Sequence, residues 1–192
     1  LPERVKRIMQ PLEGEWYDQA AMNGKVKRML ATGAFDSVRV ESYEVSSKRI
    51  DATLHFKEAK AKEITLAAGV GSFNGPLFRA GYIDRNFRGS LKGFSAGMEF
   101  SGRGALGDLK LTDPWWCGTE TAHSLRLYSL VKAYEGYTLL EGGLESGWTW
   151  QPSPRRHMEL LLGYSFVTVS EDGLPANLLG DTDYNHVRVA FT

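Results

Sequence analysis

The run EITLAAGVGSF, residues 63–73, decides how the rest of this chain is read. As a strand it places Ile64, Leu66, Ala68 and Val70 on one face and Thr65, Ala67, Gly69 and Gly71 on the other. One face is apolar and the other nearly bare. The glycines weaken lateral pairing, because they bring no side chain to pack against a neighbour. Before this run the spacing is helical and then strand-like; after it the pattern is strand, turn, strand until residue 192. It reads as the first strand of a membrane barrel, and a weak one.

Eight strands are expected from residue 63 onward, over 63–73, 76–86, 93–101, 105–113, 122–132, 137–150, 156–169 and 183–192. The third alternates most clearly, with Phe94, Ala96, Met98 and Phe100 against Ser95, Gly97 and Glu99. The fourth sets Leu109 and Leu111 against Asp108, Lys110 and Thr112, and the last interleaves Val187, Val189 and Phe191 with Asn185, His186 and Arg188. Lengths of this order exceed the usual globular strand of about five or six residues and suit a tilted bilayer crossing. The polar face carries Glu99, Lys110, Arg126, Glu141, Glu145 and Glu159, and these charges need water. A soluble sandwich would turn them to bulk solvent, and a barrel would turn them to its lumen. The aromatics Phe73, Phe78, Trp115, Trp116, Trp148, Trp150, Tyr164 and Phe166 are expected mostly near strand ends, as in interface girdles. That placement favours the barrel. Residues 88–90 and 151–154 read as short turns on one side, and 170–182 as a long loop on the other.

Composition narrows the classes. Formal net charge is zero, which removes the basic footprint of a nucleic-acid binder, so no nucleic-acid partner is expected. No run approaches the roughly 18 apolar residues of a membrane helix. Alternating strands escape that test, because they leave bulk hydropathy ordinary. The single cysteine, Cys117, allows no intrachain disulfide and no multi-cysteine metal site.

Residues 1–62 read as a separate α+β unit and 63–192 as the strand-rich domain. Val5, Ile8 and Met9 recur at helical spacing, a break follows at 11–14, and a second helix over 17–32 carries Met22, Val26 and Leu30 on one face. Gly33 is placed to stop it. Two strands follow, over 36–43 and 50–58, the second alternating Ile50, Ala52, Leu54 and Phe56 with Asp51, Thr53, His55 and Lys57.

The segment LATGAFDSVRV at 30–40 resembles the last helix and second strand of a POTRA domain, and DATLHFKE at 51–58 is similar to the domain's final strand. Downstream, Gly69-Val70-Gly71, then Asn86, Phe87, Arg88 and Gly89 with Leu91, then Asp113, Pro114, Trp115 and Trp116 match in order and spacing. Together they resemble the POTRA-plus-barrel outer-membrane assembly and translocation superfamily, whose members include BamA, TamA and the two-partner secretion pores. The resemblance implies an antiparallel transmembrane β-barrel of about 16 strands, of which the first eight are here. They would follow a last POTRA domain that lacks its first strand, in a piece of something longer. It places the barrel in the outer membrane, the POTRA domain in the periplasm, and the Asn-Phe-Arg-Gly and Asp-Pro-Trp turns on the periplasmic side. The implied partners are unfolded outer-membrane or secreted client proteins and the lipid bilayer, with periplasmic assembly proteins as further contacts. The superfamily's lumenal Arg-Gly-Phe loop has no counterpart here, since Arg88-Gly89 is followed by Ser90. Either a second half exists or the eight strands close on themselves.

No catalytic constellation is expected, and the chain is read as no enzyme. Gly93 to Gly97 matches G-x-S-x-G, but alternation runs straight through Ser95 without the strand-to-helix elbow that the motif needs. His55, His123, His157 and His186 fall on separate elements without ligand spacing, so neither metal nor cofactor is expected. The glycines of 69–75 lack the lysine and helix of a phosphate loop. Asp84 and Arg85 precede a turn and are expected to pair locally or face water. What carries a mechanism is the sheet edge, because unpaired N–H and C=O groups template another strand. Ile64, Leu66, Ala68, Gly69, Val70 and Gly71 would form a lateral gate, or else an ordinary closed strand. Ser37, Val38, Arg39, Val40 and Glu41 would form a POTRA edge for extended segments, or else a capped one. The expected role is assembly, insertion or translocation of outer-membrane clients. A two-partner secretion pore and the anchoring barrel of a patatin-like lipase are the alternatives.

Overall fold

A computed structural model describes residues 2–47, 49–153, 156–173 and 180–192. The chain divides into two compact units, residues 1–63 with 84–93, and residues 64–83 with 94–192.

The first unit begins with helix α1 (Pro2–Met9), a 3-10 turn at Gln10–Leu12 and helix α2 (Gln19–Ala31). Asp18 starts α2, its carboxylate accepting the amides of Ala20 at 2.8 Å and Ala21 at 3.2 Å. Those are two of the N–H groups a helix start leaves without intrahelical partners. The helix therefore begins two residues later than its spacing predicts. Lys25 Nζ donates to the Ile8 carbonyl at 2.9 Å and satisfies the open end of α1. Val5, Ile8, Met9, Met22 and Val26 are buried as expected, but the third turn of α2 buries Met29, at 0 % exposure, rather than Leu30. Seven residues make almost two whole turns, so position 29 returns to the stripe more closely than position 30. Gly33, at φ +71°, ends the helix as read.

Strands β1 (Phe35–Ser46) and β2 (Arg49–Glu58) form an antiparallel pair. The ring of Phe35 lies 5.0 Å from that of Phe56 and anchors the pair. Its far end leaves Tyr43, Val45 and Ile50 exposed, so the expected alternation is covered only at Leu54 and Phe56.

The remaining strands are β3 (Lys62–Gly71), β4 (Gly75–Phe87), β5 (Lys92–Ser101), β6 (Gly104–Asp113), β7 (Ala122–Tyr134), β8 (Gly136–Ser153), β9 (Arg156–Asp172) and β10 (Asp183–Phe191). They form one eight-stranded sheet in sequential order, with β3 at one edge and β10 at the other. All eight expected strands are present, at 9 to 18 residues each. The sheet is open: its strand order does not bring β3 beside β10, so the eight strands do not close on themselves. Residues 151–153, read as turn, continue β8 across a bulge, and 170–172, read as loop, extend β9. Of the rest of that expected loop, residues 174–179 lie outside the described residues, as does the tip of the turn, 154–155.

Candidate functional site

Strand register sets side chains in ranks across the sheet, since partners directly opposite share a face. One rank reads Lys110, Arg126, Glu145, Gly163, Arg188 across β6 to β10. Its neighbour on that face reads Asp108, Tyr128, Gly143, Ser165, His186. Between these polar ranks, on the opposite face, runs Leu109, Leu127, Leu144, Tyr164, Val187. Flanking it on that face are Leu111, Leu125, Ser146, Leu162, Val189 and, toward one end, Asp113, His123, Trp148, Leu160, Phe191. The apolar rank is 44 % to 77 % exposed. From Leu140 to Trp148 this face extends about 27 Å along the strand at ~3.4 Å per residue. Tilted by ~40°, as barrel strands are, that rises about 21 Å, most of the roughly 25 Å apolar height of an outer-membrane barrel.

Several groups of the charged face pair with one another. Arg126 pairs with Asp108 at 2.5 Å and Glu145 at 3.2 Å, and Arg188 reaches the other oxygen of Glu145 at 3.7 Å. Tyr128 donates its hydroxyl to Glu141 at 2.7 Å. Arg79 on β4 pairs with Glu99 on β5. Tyr128, Glu141, Glu145, Ser165, His186 and Arg188 line a concavity on this side. The charges expected from alternation thus gather on one face, where alternating sign stabilises each partner.

Two adjacent glycines in β8 allow close cover on both faces. A Cβ on Gly143 would lie 2.7 Å from the Tyr128 ring, and one on Gly142 would lie 2.5 Å from the Phe166 ring. Each ring covers backbone that its glycine leaves bare. Tyr164 and Phe166 sit mid-strand in β9 and not at its end, because β9 runs on past its turn signals to Asp172. Trp115 and Trp116 lie in the β6–β7 turn and Phe73 in the β3–β4 turn, as expected of a girdle.

The edge strand β3 is exposed over its whole length, Val70 at 86 %. A Cβ on Gly81 would meet Thr65 at 3.9 Å. Gly81 shares its face of β4 with Arg79, so Thr65 belongs to the charged face and Ile64, Leu66, Ala68 and Val70 to the apolar one. Gly69 has open space about it.

The start of β3 is tied down by Arg85. Its amide donates to the Ala61 carbonyl at 2.8 Å, and its guanidinium pairs with Glu63 at 2.7 Å. Its Cδ lies 2.6 Å from where a Cβ on Gly33 would stand. Arg85 therefore pairs across elements, beyond the local pairing expected of it. Asp84, 4 % exposed, accepts the Asn86 amide at 3.0 Å, and the Asn86 side chain accepts the Leu91 amide at 2.9 Å. These two bonds hold the turn after β4, with Arg88, Gly89 and Leu91 at positive φ and Leu91 fully buried. Asp113 holds the turn after β6 in the same way, accepting the Trp115 amide at 3.0 Å ahead of a buried Trp115. Pro114 lies between them in the turn. Sequential order puts the β4–β5, β6–β7 and β8–β9 connections at one end of the sheet and the β9–β10 connection at the other. The expected siding of turns and long loop is therefore observed.

In β1, Ser37, Val38, Arg39, Val40 and Glu41 pair with Lys57, Phe56, His55, Leu54 and Thr53 of β2. This two-stranded sheet leaves the other side of β1 without a strand partner among the described residues. Glu41 accepts the Tyr43 hydroxyl at 2.6 Å, which holds its carboxyl below the usual range. Ser95 sits inside β5 with no elbow, and the four histidines lie on β2, β7, β9 and β10.

No protein-family model matches the chain. It is 25 % identical over 149 residues to outer envelope protein 80, chloroplastic, of Oryza sativa subsp. japonica. That match covers 74 % of this chain and 22 % of the rice protein. The crystal structure of BamA from Haemophilus ducreyi lacking POTRA domains 1-3 matches with a TM-score of 0.68 at 17 % identity, over 100 % of this chain and 40 % of that one. The fold is that of the BamA-like barrel superfamily. The chain spans about a fifth of the curated relative and two-fifths of the solved BamA chain. Within this BamA-like fold, the motifs at 69–71, 86–89 and 113–116 occupy the first strand of the large sheet and two turns at one end of it. Sequence reasoning does not single out Asp84, Arg85 or the Tyr128–Glu141 pair as positioning residues. The one signal for such a role is an Asp or Asn just before a turn, where these side chains cap backbone amides.

Proposed function

We propose that the chain is the first half of the wall of an outer-membrane or outer-envelope assembly barrel, and that its work is templated addition of client strands at β3. The single observation that carries this is the edge. A two-faced sheet, apolar on one face and ion-paired on the other, ends in a fully exposed strand whose apolar side chains share the apolar face. Such an edge presents N–H and C=O groups in register for another strand, and in hydrocarbon those groups must be satisfied. Client backbone pairing and burial would drive the reaction without covalent chemistry, so the role is not enzymatic. Glycines at 69 and 71 make the seam thin and easily opened.

Residues 1–62 are proposed as a POTRA domain without its first strand, on the periplasmic side with the 86–89 and 113–115 turns. The two helices and the β1–β2 hairpin support this, and the open side of β1 is the proposed contact for extended clients or periplasmic assembly partners. The bilayer is the second partner, facing Leu109, Leu127, Leu144 and Val187.

The test is a cysteine placed at Gly69 or Gly71 and crosslinked to a strand paired with β3, in proteoliposomes supplied with an unfolded barrel client. Crosslinking should abolish client insertion, read as loss of the heat-modifiable folded form. Undiminished insertion would end the gate reading.

A further inference from the structure

At the end of the sheet where β8 and β9 join, the apolar face carries a shallow groove of about 460 Å³ lined by Thr121, Trp148, Trp150, Leu160 and Leu162. Register builds it: Trp148 stands opposite Leu160, and Trp150 opposite Met158. Both indoles are braced by other rings. Trp148 lies 5.0 Å from His123, whose own ring is 4.1 Å from Trp116, and Trp150 lies 6.2 Å from Phe191. His123 Nε2 is held 2.8 Å from Ser146 Oγ, which orients the middle ring of the stack. The groove walls are therefore positioned in advance. Beyond Met158, two residues nearer the strand end on the same face, β9 carries the exposed Arg156.

Leucines, then the indoles of β8, then Arg156 at the strand end follow the order of acyl chain, interface and phosphate met on leaving a bilayer. We propose that this groove is a binding site for one phospholipid, its acyl chain along Leu160 and Leu162 beside the two indoles of β8 and its phosphate on Arg156. The proposal rests on the reading of the apolar face as lipid-facing. The groove is continuous with the rank of Leu125, Leu162 and Val189, so whatever covers that rank reaches the groove. A client peptide is a poorer occupant, because β8 and β9 are paired to each other here and present no free backbone groups. The arginine suits a phosphate, bidentate and charge-assisted.

The test uses the full chain in nanodiscs of phosphatidylglycerol and phosphatidylcholine, then native mass spectrometry after release into mild detergent. One phosphatidylglycerol should stay bound, and phosphatidylglycerol brominated on its acyl chain should quench indole emission. Arg156→Gln, at an exposed position, and Trp150→Ala should each weaken retention about tenfold, the loss of one well-placed contact. Inorganic phosphate at matched concentration should not compete. Retention equal in the wild-type chain and Arg156→Gln, or displacement by inorganic phosphate, would overturn the site. If the chain fails to enter nanodiscs at all, the membrane reading falls and the site with it. Entry with only exchangeable annular lipid removes the site and leaves that reading standing.

Discussion

Gly104 shows how tightly a single position can be set. Its φ is +153°, and a Cβ there would lie 2.0 Å from the Val131 carbonyl oxygen across the β6–β7 pair. The obstacle is backbone and cannot swing aside. Gly104→Ala should therefore cost about 2–4 kcal/mol by forcing the two strands apart, beyond the strain of the backbone angle. Denaturant unfolding in detergent measures it, and a change under about 0.5 kcal/mol would show that the strands separate freely there. Gly33→Ala should likewise displace Arg85 and loosen the start of β3, seen as faster hydrogen exchange at the Arg85 amide, while exchange in β8 stays unchanged.

Glu41 offers a pH test on the same scale. The Tyr43 hydroxyl donates to its carboxylate, with His55 3.6 Å away, and the carboxyl titrates below the usual range. A depressed folded value means that its contribution is present above the unfolded value and is lost as pH falls through the folded one. Lys57 runs the other way: its bond to Asp36 raises it, so that contribution holds at neutral pH and is lost only as pH rises past the ordinary lysine range. Tyr43→Phe should move the Glu41 midpoint up toward that of an ordinary carboxylate in an NMR titration. An unmoved midpoint would mean that the hydroxyl does not reach it.

At the scale of the element, each strand of the large sheet carries two chemistries at a two-residue period. In β7, Leu125 and Leu127 share the apolar face while Arg126 and Tyr128 share the charged one. The same substitution should then have opposite consequences on the two faces. Leu127→Lys, near the middle of the apolar face, should destabilise the bilayer-inserted form by about 2–4 kcal/mol. His186→Lys, at an exposed position of the charged face, should leave insertion intact, because that face already carries charge and meets water. Equal losses at both positions would contradict the assignment of faces. The Gly142-Gly143 pair of β8 belongs to this scale too, since the Phe166 and Tyr128 rings cover it from opposite sides and so fix its register against both neighbours.

For the whole molecule, the open order of the sheet matters most. β3 and β10 end it without meeting, and both edges are exposed along with the apolar ranks. That much unpaired edge and apolar surface is incompatible with a dispersed monomer in water. Without detergent the chain should sediment with membranes or associate, and analytical ultracentrifugation of a stable detergent-free monomer would refute its placement in a bilayer.

The features legible from residue order alone are local. Alternation placed all eight strands, Gly33 ended α2, and interleaved acids and bases at a two-residue period separated the charged face from the apolar one. These signals are carried by side chains two, three or four residues apart, within the reach of one element's period. Which of those residues meet depends on the packed fold. Met29 displaced Leu30 because helix phase is settled by what the helix packs against. Tyr164 and Phe166 moved to mid-strand because β9 outlasts its turn signals. The sheet stayed open because strand closure depends on partners far apart in the chain, and Arg85 became the tie of β3 because Gly33, Ala61 and Glu63 converge on it. Pairing across long sequence separations leaves no periodic mark, and for that reason the open order of the sheet and the anchor of its edge strand became visible only in the fold.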